Sequence, residues 1–439
     1  MSGIGKRSAI WGAICLAGMT MWGIRAVTGA ATAEGDPMSV DAASASCLQL
    51  RDSNTWTTYT NNLSGVGTPW TLANLVTNGM NRQGPILTSA TRPFAPSTAV
   101  GYKGGFQWDS GDQAVTYWIP QGMTAGVSGG RNVVIVAWHY PLSGPDKGVR
   151  VSIADVTDMG ASHVPYRHAL LVEPSTSGNY VPVPVHGGGL AWVGNYLYMV
   201  DTANGIRVFD LTQIREVDTP AACDAAIGDT GSLWCAYGYR FIIPQVSRYA
   251  VPATKSDGTP ISASCKPKFS FMGKDTRNSP VLLTGEFCNT TDQPCVQDPA
   301  GSPGMGGRLY RWALNGTTNR LQTVSTYISP SKAYKMNERN IQGVAPVMLQ
   351  FGGAYAPDTY WLSATRRSGA LFSVSQTDPV RALYADQSEW PWVPEGMHAT
   401  STGTNLWTAT EGRVVSGTLV TDPRTGGRVV VFMDQADVH

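Results

Sequence analysis

The chain repeats a pattern in which a short Gly-containing segment precedes a run of mostly apolar residues. The five runs read NVVIVAW, NYLYMVD, VLLTGEF, TYWLSAT and NLWTATE. A small or polar residue begins the segment before each run: Gln121, His186, Ser270, Gln342 and Glu395. Self-similarity at intervals of tens of residues indicates a repeat architecture. The predicted fold is therefore all-β, and a unit of short antiparallel strands is typical of a β-propeller blade.

The repeat that begins at His186 shows the strands most clearly. We predict a first strand at 189–192, a second at 196–200 and a third at 206–211. Gly194-Asn195 lies between the first two, and both residues tolerate the positive φ of a tight turn. Outer strands are predicted at 169–174, 239–246, 321–328 and 381–384.

The last repeat ends at its third strand, so a fourth must come from elsewhere in the chain. We predict that an N-terminal strand at 114–120 completes the last blade, which closes the ring and removes exposed edges. The interpretation is a five-bladed propeller at 113–439, preceded by an arm at 34–112 that wraps the ring. The alternative is six blades, with an extra one beginning at Gln83.

The N-terminus predicts export. Lys6 and Arg7 precede an apolar stretch, and Ala31-Thr32-Ala33 fits a cleavage site, so residues 1–33 are interpreted as a signal peptide of a secreted bacterial protein. The alternative is an uncleaved anchor, because residues 22–27 prolong the apolar run. After cleavage we expect no membrane contact, and we expect a monomer.

The cysteines and the charge balance agree with an exported protein. Six cysteines remain after cleavage, and an even number in an exported chain implies disulfides. Spacing favours Cys288–Cys295 and Cys223–Cys235, which leaves Cys47 with Cys265. The 32 basic and 31 acidic side chains nearly cancel, with no basic block, so nucleic acid is not an expected partner.

Part of the chain resembles a known group of proteins. It is similar to uncharacterised exported propeller-like proteins of actinomycetes at WIPQGMT, GVRVSIADV, YRHALLVEP, the run from VHGGGLAW to IRVFDL, and YGYRFIIPQV. The sequences of the predicted blades also resemble NHL-type repeats. The resemblance covers residues 105–250 best. It implies an exported bacterial protein and no particular activity.

The ring geometry predicts where a site lies. First strands line the axis of a propeller, so the five leading residues face one another at one mouth. Second strands run back to the same face and end on five further residues: His139, Asp201, Glu286, Arg366 and Glu411. Titratable groups that converge in a concavity are what a binding or active site requires. The structural alternative is that such residues cap strands, as Asp201 would by pairing with Arg207, and that 187–189 only allows close packing.

We assign candidate roles by chemistry. His186, Glu395, Glu286 and His398 are the catalytic candidates, since acid–base work needs carboxyl or imidazole groups. Gln121, Gln342, Ser270, Arg366, Trp138, Glu411 and Asp201 are the substrate-binding candidates. Trp138, Trp192, Trp392 and Trp407 could stack on sugar rings. No cofactor is required; a single divalent metal on His139, His186 and Glu395 is a variant.

Three functions fit these residues. The first is a glycosidase that uses Glu395 with Glu286 or Glu411 as its two carboxylates. The second is a lyase, hydrolase or cyclase with His186 as base and Glu395 as partner. Both would act on a small molecule or a carbohydrate. The alternative is a non-enzymatic carbohydrate-binding or scaffold propeller, although a lectin should repeat one motif in every blade.

Overall fold

A computed structural model describes residues 38–93, 101–140, 146–175, 178–289, 306–336, 338–351, 354–355, 358–365, 370–375, 381–384, 390–400 and 405–438. The predicted signal peptide, Arg366 and Cys295 lie outside these residues. Among the described residues no helix has the length and apolar character needed to cross a membrane.

The N-terminal segment contains short elements. They are β1 (Ser39–Val40), α1 (Ala42–Cys47), β2 (Leu50–Asp52), α2 (Trp56–Asn62), β3 (Thr68–Trp70), α3 (Leu72–Asn78), β4 (Arg82–Pro85), β5 (Tyr102–Gln107) and α4 (Ser110–Ala114).

The strands that follow build antiparallel four-stranded blades. Blade I contains β6 (Ile119–Ser128), β7 (Arg131–His139), β8 (Val149–Asp155) and β9 (His163–Pro174), with β10 (Tyr180–Pro182) beside it. Blade II contains β11 (Leu190–Val193), β12 (Tyr196–Asp201), β13 (Gly205–Asp210) and β17 (Phe241–Ala250). The loop between β13 and β17 contains β14 (Ile214–Glu216), a 3-10 helix (Ala221–Cys223), β15 (Ile227–Asp229) and β16 (Trp234–Ala236). Blade III contains β18 (Phe269–Asp275), β19 (Val281–Glu286), β20 (Arg308–Ala313), the loop strand β21 (Tyr327–Ile328) and β22 (Lys332–Lys335).

Two more blades complete the described set. Blade IV contains β23 (Ile341–Pro346), the hairpin β24 (Gln350–Phe351) and β25 (Ala354–Tyr355), β26 (Tyr360–Ala364), β27 (Ala370–Val374) and β28 (Arg381–Tyr384). Blade V contains β29 (Pro394–Ala399), β30 (Asn405–Thr410), the hairpin β31 (Val414–Val415) and β32 (Thr418–Leu419), and β33 (Val429–Asp434), with β5 as its fourth strand. A 3-10 helix (Pro423–Thr425) and α5 (Gln435–Val438) flank β33.

The first strands of the blades lie side by side around the axis. Each of β6, β11, β18, β23 and β29 contacts the next, and β29 contacts β6. The prediction of an all-β propeller is therefore confirmed. The described strands form five blades, whereas the number of blades in the complete chain stays a prediction.

The second strands are apolar on both faces because each blade is packed between two others. In β7, Val133 and Ile135 pack with residues of blade II, whereas Val134 and Val136 pack with residues of blade V. Similar clusters lie between blades II and III, III and IV, and IV and V. Burial of alternate side chains on opposite faces explains why these runs show no alternation of apolar and polar residues.

The N-terminal segment follows the outside of the ring. Its strands β1, β2, β4 and β5 pair with β22, β17, β9 and β33, which are strands of blades III, II, I and V in that order. These strands of the N-terminal segment therefore pair with four of the blades, and β4, which contains Gln83, pairs with the outer strand of blade I.

Two strand assignments were wrong. Strand β5 completes blade V by pairing with β33, with Gln107 opposite Val429. The predicted closing strand, residues 114–120, was therefore wrong. Residues 110–114 form α4, and Ile119 and Pro120 already belong to β6. In blade III the outer strand is β22, whereas the predicted segment 321–328 supplies only β21, which pairs with β2 of the arm.

Helix α4 joins the two ends of the ring. The Asp112 carboxylate accepts hydrogen bonds from Arg150 Nη2 of blade I at 2.8 Å, Tyr166 Oη at 2.7 Å and His168 Nε2 at 2.8 Å. On the other side, Arg428 of blade V donates to the Asp112 main-chain oxygen at 2.9 Å. One helix therefore holds the first and last blades together.

The disulfides agree with the sequence where the structure describes them. The Cys47–Cys265 and Cys223–Cys235 pairs are formed, as predicted. Cys47–Cys265 links α1 of the arm to the loop before blade III. Cys295, the predicted partner of Cys288, lies outside the described residues.

Candidate functional site

Four of the leading residues lie in or beside β-bulges of the first strands. The residues without a partner in the register are Gln121 with Gly122 in β6, Ser270 in β18 and Gln342 in β23, whereas in β29 Gly396 is skipped and Glu395 directly before it pairs with Ala409. At each bulge the first strand holds one more residue than its partner. A bulge redirects a side chain and is frequent beside active sites. Four bulges at the same end of the axis favour that end as the candidate site.

Glycine at this level lets the first strands approach one another. A Cβ atom on Gly396 would lie 2.3 Å from the main-chain nitrogen of Met123, and one on Gly189 would lie 2.2 Å from that of Met272. A Cβ on Gly122 would lie 2.6 Å from the Gly189 Cα. The glycines of 187–189 thus serve close packing at the axis, and the polar leading residues lie on one side of this constriction.

Replacing Gly396 tests the constriction. Gly396 has a φ of 68°, and no room exists for a methyl group. We expect Gly396→Ala to lower the free energy of unfolding by about 2–4 kcal/mol, from backbone strain plus overpacking. Urea unfolding measures this. Gly130→Ala is the control, because Gly130 has a φ of 77° but open space around it, so only the strain applies. Equal losses in both variants would contradict a closed axis.

Side chains from three blades form a hydrogen-bonded chain at the mouth. Ser270 Oγ of blade III donates to Gln342 Oε1 of blade IV at 2.8 Å. Gln342 Nε2 then donates to Glu395 Oε1 of blade V at 3.3 Å. In the adjoining blade I, Gln121 Nε2 is held by the Pro120 main-chain oxygen at 2.8 Å. The chain fixes the orientation of the Glu395 carboxyl group.

Two buried oxygens at the mouth lack partners. Glu395 is 1% exposed and Gln121 is 2% exposed. Neither Glu395 Oε2 nor Gln121 Oε1 has a hydrogen-bond partner among the described residues. An unpaired buried polar atom costs free energy, and a bound water, a ligand or a catalytic role accounts for such an atom in a native structure.

Glu395 is held in its protonated form. Burial raises its pKa well above the ordinary value, and the nearby Glu411 carboxylate raises it further, whereas the hydrogen bond from Gln342 opposes the shift. Burial also raises the pKa of Glu411 to about 7, with the charge of Arg428 acting in the opposite direction. The mouth thus pairs two carboxyl groups of which Glu411 loses its proton first.

Two histidines lie at the same face. The rings of His139 in blade I and His186, which precedes blade II, are 4.2 Å apart between centroids. Burial and the neighbouring His186 lower the pKa of His139 to about 3. His139 is therefore a neutral imidazole at physiological pH, which can accept or donate a hydrogen bond.

Asp201 and Glu286 have structural roles instead of the predicted site roles. Asp201 accepts from Arg207 Nε at 2.9 Å and from Asn204 Nδ2 at 2.9 Å. Glu286 receives a bidentate pair from Arg308, with Nε at 2.8 Å and Nη2 at 2.7 Å. Both carboxylates are satisfied by their own blade, so neither is free to act on a substrate.

An arginine near the start of the third strand explains this difference, and the sequence analysis anticipated it only for Arg207, as the structural alternative for Asp201. These arginines are Arg150 and Arg207, each two residues after a glycine, and Arg308 and Arg428, each directly after a glycine, and all four are buried. In blades II and III the guanidinium binds the carboxylate at the end of the second strand. Arg428 instead donates to the main-chain oxygen of Glu411 at 2.9 Å. The Glu411 carboxylate therefore has no ion pair among the described residues. In the sequence, the available signal for these arginines was their position one or two residues after a glycine.

Two other predicted site residues lie elsewhere. Trp138 is fully buried in the core between blades I and V, with the Arg150 guanidinium 4.6 Å from its ring, so it cannot contact a substrate. Trp192 and Trp407 are also buried, whereas Trp392 is half-buried. His398 is three residues beyond Glu395, about 10 Å along a strand, and lines a different pocket with Lys274.

The predicted metal set is not assembled. Among the described residues no three His, Cys, Asp or Glu side chains are placed to hold a metal ion. His139, His186 and Glu395 therefore do not form a ligand set in this structure. The remaining chemistry of the mouth consists of carboxyl, amide, hydroxyl and imidazole groups.

Comparison with known proteins assigns the chain to no family. No family model and no curated protein sequence matches the chain. A solved GH43_1 enzyme from Xanthomonas citri is 12% identical, over 73% of this chain and 88% of that one, with a TM-score of 0.32. The catalytic domain of a GH62 alpha-L-arabinofuranosidase from Coprinopsis cinerea is 10% identical, over 80% and 97%, with a TM-score of 0.34. A PQQ-bound aldose sugar dehydrogenase from Streptomyces coelicolor is 12% identical, over 81% and 99%, with a TM-score of 0.32.

Proposed function

We propose that this protein is an exported bacterial glycoside hydrolase whose active site is the polar mouth of the propeller axis. The observation that carries the proposal is the pairing of Glu395 with Glu411. One is a buried carboxyl group whose pKa is raised and whose Oε2 lacks a hydrogen-bond partner among the described residues, and the other forms no ion pair with a described arginine. Glycoside hydrolysis requires two carboxyl groups in these different states.

Glu395 is the general acid. It donates its proton to the glycosidic oxygen as the bond to the anomeric carbon breaks, so that the leaving sugar departs as a neutral alcohol. Gln342 holds Oε1, and Oε2 has no hydrogen-bond partner among the described residues, so we assign the donated proton to Oε2. Burial keeps the proton on this group at neutral pH, as a general acid needs.

Glu411 is the second carboxyl group. In its ionised form it takes a proton from the attacking water or attacks the anomeric carbon itself. Gln121, Ser270 and His139 supply amide, hydroxyl and neutral imidazole groups, which suit sugar hydroxyls as hydrogen-bond partners. Trp392 lies two residues before blade V and is the half-buried tryptophan of the predicted stacking set.

A second candidate is an elimination in which His186 acts as the base. The close His139–His186 ring pair favours it, because a neutral imidazole can take a proton from carbon. The two reactions differ in product. Elimination from a uronic acid leaves a double bond that absorbs ultraviolet light, whereas hydrolysis leaves a new reducing end and no double bond.

The Glu411 pKa of about 7 gives a stability test that is independent of substrate. A carboxyl group whose folded pKa exceeds the unfolded value near 4.3 makes the folded state bind more protons, so stability falls as pH rises from about 4 to 7. We expect Glu411→Gln to be more stable than wild type by about 3 kcal/mol at pH 8 and unchanged at pH 4. Urea unfolding at both pH values measures this; a difference independent of pH would contradict the electrostatics of the pair.

A further inference from the structure

A second pocket lies at the opposite end of the first strands. It has a volume of about 470 Å³ and is lined by residues from blades I, III and V. Its polar groups include Lys274 of β18, His398 of β29 and Asn405 of β30. The glycine constriction separates this end of the axis from the mouth that holds Glu395, so the pocket is distinct from the proposed active site.

Lys274 brings a positive charge into this pocket. Its Nζ donates to the main-chain oxygens of Trp192 at 2.7 Å and Ala125 at 3.3 Å. These two bonds fix the ammonium group, and one of its three protons remains for another acceptor. No carboxylate pairs with Lys274 among the described residues, and burial lowers the pKa of its amine to about 8.

His398 faces the same space as a neutral ring. It is 6% exposed, and burial followed by the charge of Lys274 holds its pKa well below the ordinary value. Its ring nitrogens form no hydrogen bond within the described part of the chain. A neutral imidazole beside an ammonium group adds a donor for an anion without adding a second full charge.

The rest of the wall is apolar and partly aromatic. Trp407 stacks on Phe432, with ring centroids 4.4 Å apart and planes inclined by 25°. Val127 is 65% exposed at the rim, and Met159 is a further apolar residue of the lining. The described residues of the wall thus provide two aromatic side chains and one ammonium group, which suit a ligand with an apolar body and one anionic group.

We propose that this pocket binds a small organic carboxylate, whose oxygens accept hydrogen bonds from Lys274 Nζ and His398 while its body lies against Trp407 and Phe432. A single cation matches a monoanion, whereas a doubly charged phosphate would leave one buried charge unpaired. The site is independent of the proposed hydrolase activity.

Calorimetric titration with matched pairs tests the pocket. The probes are benzoate with benzamide, indole-3-acetate with indole-3-acetamide, and cinnamate with cinnamamide. We expect at least one carboxylate to bind more tightly than its amide, and Lys274→Met to weaken that carboxylate by about 10–100-fold while leaving the amide unchanged. Quenching of Trp407 fluorescence by the probe should disappear in Trp407→Leu.

Controls separate a lost site from a lost fold. Lys255→Met removes a loop lysine that pairs with Asp257, and Glu395→Gln changes the opposite mouth; both should bind the carboxylate as wild type does. Circular dichroism and the melting temperature of Lys274→Met must remain native. If Lys274→Met is misfolded, His398→Leu is used in its place, with a loss of carboxylate affinity expected. Binding of no carboxylate, or equal binding by wild type and a folded variant, would overturn the proposal.

Discussion

Replacing Glu395 by Gln is expected to lower kcat/KM for an unactivated glycoside by about 10²–10⁴-fold, the usual contribution of a general acid. The amide keeps the shape and the Gln342 contact but cannot supply a proton to the leaving oxygen. Initial rates against a polysaccharide measure the loss. A substrate with a dinitrophenyl leaving group should be much less affected, because that group departs without protonation.

Glu216→Gln is the matched control for this variant. Glu216 is a half-buried glutamate bonded to Trp70 and Arg240, in a loop strand of blade II away from the axis. We expect it to retain wild-type activity. Equal losses for activated and unactivated substrates in Glu395→Gln would show that Glu395 does not act as the proton donor.

The second large effect concerns the join between the first and last blades. We expect Asp112→Asn to lower the free energy of unfolding by about 3–5 kcal/mol, because it leaves the buried Arg150 guanidinium without its carboxylate. Although burial opposes ionisation, the hydrogen bonds of His168 and Tyr166 and the charge of Arg150 hold the Asp112 pKa below its ordinary range. The carboxylate is therefore ionised at neutral pH, and the asparagine removes a full charge.

Urea unfolding followed by tryptophan fluorescence measures this effect. Asp257→Asn is the control, since Asp257 is 59% exposed and its nitrogen partner, Lys255 Nζ, is 3.6 Å away. Exposed pairs of this kind contribute little, so its unfolding midpoint should not move. An Asp112→Asn midpoint that also stays at the wild-type value would show that α4 does not hold the ring closed.

Ser152, His168 and Asp112 are linked by hydrogen bonds in the order of a Ser-His-Asp catalytic triad. Ser152 Oγ lies 2.9 Å from His168 Nδ1, and His168 Nε2 lies 2.8 Å from Asp112. All three side chains are buried within blade I and its join to α4. Without access for a substrate, the series is part of the closure of the ring.

The blades could be predicted from the sequence because burial on both faces of a strand requires a long apolar run. The closing strand could not be predicted in this way. Residues 114–120 are more apolar than β5, which reads YKGGFQ, so they were predicted as the closing strand. Gly105 is required in β5 because a Cβ there would lie 2.4 Å from the Val430 main-chain oxygen. Such a requirement depends on a partner strand more than 300 residues away, which no local pattern reveals.

The candidate site was predictable in position and less so in detail. Repeat alignment identified Glu395, Gln342, Ser270 and Gln121, because equivalent positions in a ring converge. It could not separate Glu411 from Asp201 and Glu286. That distinction depends on whether the arginine of each third strand meets a side-chain carboxylate or a main-chain oxygen, and only the packed side chains decide it.

The most direct measurement is the release of reducing ends from a panel of polysaccharides by wild type, Glu395→Gln and Glu411→Gln. The proposed function predicts that wild type releases reducing ends from at least one polysaccharide, without an unsaturated product, and that both variants release them at least about 10²-fold more slowly. Release of none by wild type, or equal release by all three proteins, would contradict an active site at the axial mouth.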